Sequence, residues 1–257
     1  YLHEYARQYD TVEVDQWFWS LYGPDKVVLP QPKVVAIYAA SVPETFRFGI
    51  KMPNALTLPC FRQEAKTDPL VPNPHFLSME VLRAFLDRLE PLRSKLGPMM
   101  FQFGYLNRKM MSSQAEFLDK LGAFIRQLPA GFKWCIETRN PNYLTPEYFG
   151  FLRERGLAHV FLQGYYMPPI FEIYRKYADQ FTDNVVVRLH GPDREGMEER
   201  TGNDWSKLIE PRDADLDAVV AMLKGMAIKN HTVWTYANNH FEGSAPLTIA
   251  RLRKRMK

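Results

Sequence analysis

Phe46-Arg-Phe-Gly-Ile-Lys51 alternates residue by residue: Phe46, Phe48 and Ile50 fall on one face of an extended segment, and Arg47, Gly49 and Lys51 on the other. The apolar face is expected to meet helices. The polar face then points into the interior of a barrel. Working outward, short apolar runs of the same kind recur at residues 11–15, 98–103, 134–138, 159–163, 185–190 and 232–238, giving seven expected strands with 46–52.

Helical patterns lie between them. Leu82, Phe85, Leu86 and Leu89 fall at i, i+3, i+4 and i+7, as do Leu216, Val219, Val220 and Leu223. Phe117, Leu118, Leu121, Phe124, Ile125 and Leu128 form a wider stripe. Residues 1–9 read as an opening helix. Ser113-Gln-Ala-Glu116 reads as a capping box. Thr145-Pro146 places a cap before a helix-starting proline, and Gly156 follows Arg153-Glu-Arg155 as a stop. Residues 67–74 (TDPLVPNP) read as a loop within the domain. Alternating strands and helices predict a parallel sheet with helices outside. The expectation is an α/β (β/α)8 TIM-type barrel, one domain over residues 1–257, with a first strand expected before Tyr1 to complete eight. An open doubly wound sheet is the rival, but it usually shows a glycine-rich first turn, and none is present.

Composition agrees with a globular domain. The chain has 257 residues, 46% hydrophobic and 24% charged, which excludes disordered and collagen-like classes. A chain of this length buries roughly three quarters of its unfolded surface, so it needs no disulfide or structural metal to fold. The net charge of +4 is concentrated in residues 251–257, where Arg251, Arg253, Lys254, Arg255 and Lys257 stand; the rest of the chain is near neutral. The tail is the one place where nucleic acid is an expected partner, although a basic run ending a helix is usually solvated. Cys60 and Cys135 are too few for a disulfide framework, no run of eighteen apolar residues exists and no signal peptide is visible. A cytoplasmic location and no membrane partner are expected.

The parity of residues 46–51 extends to the other strands. Val12 and Val14 face outward, leaving Glu13 and Asp15 inward; Trp134 and Ile136 face outward, leaving Glu137 and Arg139 inward. Val185, Val187 and Leu189 leave Arg188 and His190 inward, and Gln102 shares a face with Met100. With Lys51, these polar residues lie toward the C-terminal ends of their strands, where barrel enzymes place their sites. The competing reading is an ion-pair network filling the lumen. Buried charges are expensive and apolar filling does as well, so a ligand site is favoured.

The last strand runs into Asn238-Asn-His-Phe-Glu-Gly-Ser-Ala-Pro246. Gly243 allows a tight turn, Ser244 can cap the next helix, and free N–H groups there suit an anion. Asn238, Asn239, His240 and Glu242 exceed what a turn requires. His190 and His240 could hold a divalent metal with Glu13, Glu137 or Glu242, but no HxH or HxxxH pair exists and no cofactor is required. His3, His75 and His231 are expected at the surface. Trp17-Phe-Trp19 either stacks a sugar or base or packs the rim.

Val12-Glu-Val-Asp15, Phe46-Arg-Phe-Gly-Ile-Lys51, Gly97-Pro-Met-Met-Phe-Gln102, Ile136-Glu-Thr-Arg-Asn-Pro141, Val187-Arg-Leu-His-Gly191 and Tyr236-Ala-Asn-Asn-His-Phe-Glu-Gly243 together resemble the YecE-like barrel family, a domain of unknown function. The resemblance covers essentially the whole chain in order. It implies a TIM-type barrel whose first strand carries a Gly-Thr-Ser-Gly-Trp-like segment. It also implies functional positions at Glu13, Lys51, Gln102, Glu137, Arg139, Arg188, His190, Asn238, Asn239 and Glu242. The chain departs from the family at Trp17 and Trp19, at Thr138, where Phe is frequent, and at Ala237, where an aromatic is common.

The expected function is an enzyme for a small phosphate- or carboxylate-bearing substrate. Glu13, Lys51, Glu137 and His190 are the expected catalytic residues. Asp15, Gln102, Arg139, Arg188, Asn238, Asn239, His240, Glu242 and Gly243 are the expected substrate contacts. Glu137 or Glu13 would act as acid or base, and Lys51 as base or Schiff-base former, in hydrolysis, isomerisation or lyase-type proton abstraction. The alternatives are a metal-dependent nucleic-acid phosphodiesterase and a non-catalytic scaffold binding through the basic tail.

Overall fold

The computed structural model describes residues 1–63, 65 and 67–257. They form two compact units, Tyr1–Arg139 and Asn140–Lys257. The first unit carries strands β1 (Thr11–Val14), β2 (Arg47–Lys51), β3 (Leu96–Phe103) and β4 (Lys133–Thr138). Each pairs in parallel with the next, with Val12 opposite Phe48, Lys51 opposite Met100 and Gln102 opposite Glu137. Helices Pro32–Ala40, Met79–Arg88 and Gln114–Ile125 fill the intervals between successive strands. The second unit carries β5 (Ala158–Gly164), β6 (Asn184–Gly191) and β7 (Thr232–Ala237), again parallel, with Val187 opposite Thr235 and Arg188 opposite Tyr236. Its main helices are Pro146–Glu154, Ile170–Tyr177, Asp213–Ile228 and Ala245–Met256. Parallel strands alternating with helices make this an α/β fold of the TIM-type (β/α) barrel class, with seven such strands among the described residues. All seven lie where the alternation predicts them.

Two features depart from expectation near the start of the chain. The opening helix spans only Leu2–Tyr5. Residues 16–45, in which the sequence pattern marks no element, contain a short antiparallel ribbon (Leu21–Gly23 with Lys26–Val27) as well as helix Pro32–Ala40. The buried Asn54 carboxamide anchors the chain ahead of the ribbon: its Oδ1 accepts from Ser20 N at 2.9 Å, Ser20 Oγ at 3.0 Å and Leu21 N at 3.0 Å. Lys95 closes the C-terminal end of helix Pro32–Ala40. Its buried ammonium donates to Ala39 O at 2.7 Å and Val42 O at 2.8 Å and pairs with Glu44 at 2.9 Å. A cation there satisfies orphan carbonyls and complements the helix dipole.

The packing shows which strand face meets the helices. Phe101 and Phe103 of β3 lie edge-on to Phe124 and Phe117 of helix Gln114–Ile125, at 5.5 and 5.0 Å between ring centroids. Trp134 of β4 stacks on Phe101, and Phe48 of β2 on Tyr38. In the second unit, His159 of β5 lies against Phe149 of helix Pro146–Glu154 at 5.1 Å. Each fully buried side chain of this size contributes ~1.5–3 kcal/mol. Lys51, Gln102 and Glu137 therefore lie on the opposite, inner face of their strands.

The helix caps largely follow the sequence. Thr145 Oγ1 accepts from Tyr148 N at 3.3 Å, and beyond Glu154 the chain closes with Leu157 N on Leu152 O at 2.9 Å. The capping box at Ser113 is shifted by one residue. Ser113 Oγ accepts from Glu116 N, but the Glu116 carboxylate accepts from Ser112 N at 2.8 Å and Ser112 Oγ at 2.6 Å rather than from Ser113. With Lys120 at 2.7 Å, these bonds hold the Glu116 carboxyl at about 2. A depressed folded-state value gives stability that is complete above about 4.5 and lost as pH falls toward 2. Glu116→Gln is expected to flatten the unfolding midpoint across that interval. A midpoint that falls equally in both proteins would remove Glu116 as its source.

Burial pushes the Cys135 thiol up and, less strongly, that of Cys60, so neither is poised as a nucleophile. Among the described residues, no helix is long and apolar enough to cross a membrane.

Candidate functional site

In the first unit the inner-face polar groups gather at the C-terminal ends of neighbouring strands. Arg139 follows β4 directly, and its backbone N extends the ladder to Phe103 O at 3.1 Å. That bond aims its guanidinium back across the strand ends. Nε donates to Glu137 Oε1 at 3.0 Å, and Nη2 donates to Gln102 Oε1 at 3.0 Å. Glu137 is 0% exposed and Gln102 is buried. A buried carboxylate is costly unless the pairing geometry is good, and here a planar donor bridges two acceptors. Lys51 is 9% exposed, on the same face, and its Nζ lies 3.8 Å from the centre of the Phe18 ring. Glu13 is half-buried, and Asp15, just past the end of β1, is exposed.

The aromatic run 17–19 divides its work. Trp17 is buried against Tyr38, Phe18 lies under Lys51, and Trp19 stands exposed in a T-shaped contact with Phe18.

In the second unit, Arg188 is buried in the C-terminal half of β6 and His190 is half-buried, its Nδ1 3.3 Å from Tyr165 Oη. The loop after β7 folds tightly. Asn238 Oδ1 accepts from His240 N at 2.9 Å, and Asn239 Oδ1 accepts from Ala245 N at 2.8 Å. His240 Nε2 lies 3.0 Å from Glu198 Oε1, and the ring meets Trp205 edge-on at 5.2 Å. Gly243 has φ +106, and a Cβ there would stand 2.7 Å from Lys207 O, so the turn requires glycine.

Three expectations change here. Ser244 makes no side-chain cap bond; Asn239 caps instead and occupies the Ala245 amide, which is not free for an anion. Glu242 is 0% exposed and its carboxylate is held inside the unit, accepting from Arg212 N and Thr248 Oγ1 at 2.7 Å each and from Arg251 Nη1. The basic tail is a helix whose Arg251 and Arg255 are ion-paired, Arg251 with Glu242 and Asp213 and Arg255 with Asp213 and Asp217. Two of its five cations are therefore taken up within the unit. Among the described residues, no group of three or more His, Cys, Asp or Glu could hold a metal ion.

Glu198, Trp205 and Tyr165 carry no strand-end signal in the sequence. Glu198 sits on helix Arg194–Thr201, whose charged run reads as a solvated face, and Trp205 in the loop after it.

The sequence matches, over residues 1–257, the family model described as protein of unknown function DUF72. The chain belongs to the DUF72 family. Two solved DUF72 structures are similar to it. A DUF72 family protein from Enterococcus faecalis V583 is 23% identical, with a TM-score of 0.66 over 100% of this chain and 88% of that one. A DUF72 family protein from Thermotoga maritima MSB8 is 18% identical, with a TM-score of 0.62 over 96% of this chain and 84% of that one. At these identities the likeness establishes the fold. A comparison with curated proteins finds no match. The YecE-like resemblance agrees with the DUF72 assignment, and the motifs that carry it are those that bring Lys51, Gln102, Glu137 and Arg139 to the strand ends of this DUF72 chain.

Proposed function

We propose that this DUF72 protein is an enzyme that binds a small phosphate- or carboxylate-bearing molecule at the C-terminal ends of its strands and moves a proton there. The observation that carries this reading is the Gln102–Arg139–Glu137 bridge, two 3.0 Å bonds from one guanidinium to two buried side chains on adjacent strands. A structural filler does not need a charged pair at that depth. Arg139 supplies a planar donor set suited to an oxyanion, and buried Arg188 is the corresponding cation of the second unit. Glu137 is the proposed acid or base, with Glu13 as its alternate. Lys51 is close-packed on an aromatic ring and is the proposed base or Schiff-base former of the first unit; within the second unit, His190 is the proposed proton carrier.

The test is a thermal-shift series with inorganic phosphate, sugar phosphates and dicarboxylates on the parent chain, Arg139→Ala and Glu137→Gln. A ligand at a hundred times its dissociation constant stabilises by ~2.7 kcal/mol, which raises the midpoint by ~5–10 °C. The expected result is a shift from one anion class that Arg139→Ala loses. Glu137→Gln is expected to retain binding and to lose turnover of whatever compound binds. Absence of any anion shift in the folded parent would overturn the reading.

A further inference from the structure

Within the second unit, a cleft of about 460 Å³ lies beside the loop that follows β7. That volume is within the range of small-molecule sites. Its polar lining comes from Glu198, Asn203, Asn238, Asn239 and His240, and its aromatic wall is Trp205.

The hydrogen bonds fix what these groups present. The carboxamide oxygens of Asn238 and Asn239 are both taken by backbone amides, those of His240 and Ala245. Each side chain is therefore left with its Nδ2 donors, which have no partner among the described residues. The Glu198 carboxylate accepts from Arg194 Nε at 2.8 Å and lies 3.0 Å from His240 Nε2, both through Oε1. The Arg194 bond above all, and then His240, holds the Glu198 carboxyl below its ordinary value, so it is an ionised acceptor. In the neutral imidazole, an ionised acceptor puts the proton on Nε2 and leaves Nδ1 as a lone pair. Oε2 of Glu198 is a second acceptor.

The cleft thus combines amide donors, two acceptors and an aromatic wall. A carboxylate in its lining disfavours an anion. Alternating donors and acceptors beside an indole match a ring whose hydroxyls both give and take hydrogen bonds.

We propose that this cleft binds a neutral polyhydroxylated ring of the monosaccharide class, packed against Trp205, with hydroxyls accepting from Asn238 and Asn239 and one hydroxyl donating to His240 Nδ1. Glu198 is the positioning residue for that imidazole. The ligand class is independent of the proton chemistry proposed at Glu137.

The test uses the full chain and a panel of methyl glycosides (gluco, galacto, manno and xylo) titrated to about 50 mM, which detects a Kd of ~1 mM. The readout is the Trp205 indole N–H resonance, assigned with Trp205→Phe. At least one glycoside is expected to move that resonance saturably. Asn239→Asp retains an oxygen for the Ala245 amide and removes the donor, so it is expected to weaken that glycoside at least about tenfold with the fold intact. The proposal is overturned if no glycoside moves Trp205, or if the shift is unaffected by Asn239→Asp. Phosphate binding that Arg139→Ala abolishes, with no glycoside response, would leave the Glu137 reading standing and remove this one alone.

Discussion

Glu242→Ala is expected to lower the unfolding midpoint by ~10 °C. The carboxylate is fully buried and takes bonds from the Arg212 amide, the Thr248 hydroxyl and the Arg251 guanidinium. Its removal leaves a largely buried arginine without its buried partner and two further donors unmet. Breaking such a pair costs about 3–5 kcal/mol, and in a chain of this size each kcal/mol moves the midpoint by ~2–4 °C. Glu242→Gln retains the shape and an acceptor oxygen, and is expected to lose only about a third as much. Thermal unfolding of the three proteins checks both values. A loss below ~1 kcal/mol for the alanine variant would mean that Arg251 is held by Asp213 alone.

Gly191→Ala is expected to be comparably damaging through sterics alone. Gly191 ends β6 with φ +77, and a Cβ there would meet His240 O at 2.4 Å and Phe241 Cα at 3.0 Å. The obstacle is backbone, which cannot rotate aside. The left-handed conformation adds about 1–2 kcal/mol, and displacing the loop raises the total to ~3 kcal/mol or more. Displacement of His240 also breaks its bond to Glu198, so the variant is expected to lose the cleft as well as stability. Gly23→Ala, with nothing within 4 Å of the added carbon, is the control and is expected to stay within ~0.5 kcal/mol of the parent. Chemical denaturation of both variants separates the two cases.

The strands were legible because their alternation is local. Phe46 to Lys51 state both their conformation and their two faces within six residues, and the polar groups at the strand ends follow from the same parity. Helix Pro32–Ala40 was not legible. Val34, Val35, Ile37 and Tyr38 share one side, but Ala36, Ala39 and Ala40 occupy the other, so there is no polar face to set off a stripe, and Ile37 is in fact exposed. The ribbon at Leu21–Val27 is short, and the Asn54 side chain 34 residues away anchors the chain at its start. Glu198 was not legible for the same reason of distance: it meets His240 across 42 residues, and nothing in a charged helix marks which glutamate does so. Glu242 looked like a site residue because a buried acid clasping the final helix and an acid facing a ligand have the same letter and the same neighbours. Only its partners, Arg212, Thr248 and Arg251, distinguish them.

Lys95 bears on how the chain can fold while it is being made. The carbonyl of Ala39 waits for an ammonium that lies 56 residues further along. At roughly 5–20 residues per second, the ribosome delivers that lysine about 3–11 seconds after the helix it closes. During that delay the end of the helix has open acceptors and only water to fill them. The end of helix Pro32–Ala40 therefore exchanges water for its buried cation only once the approach to the third strand has emerged.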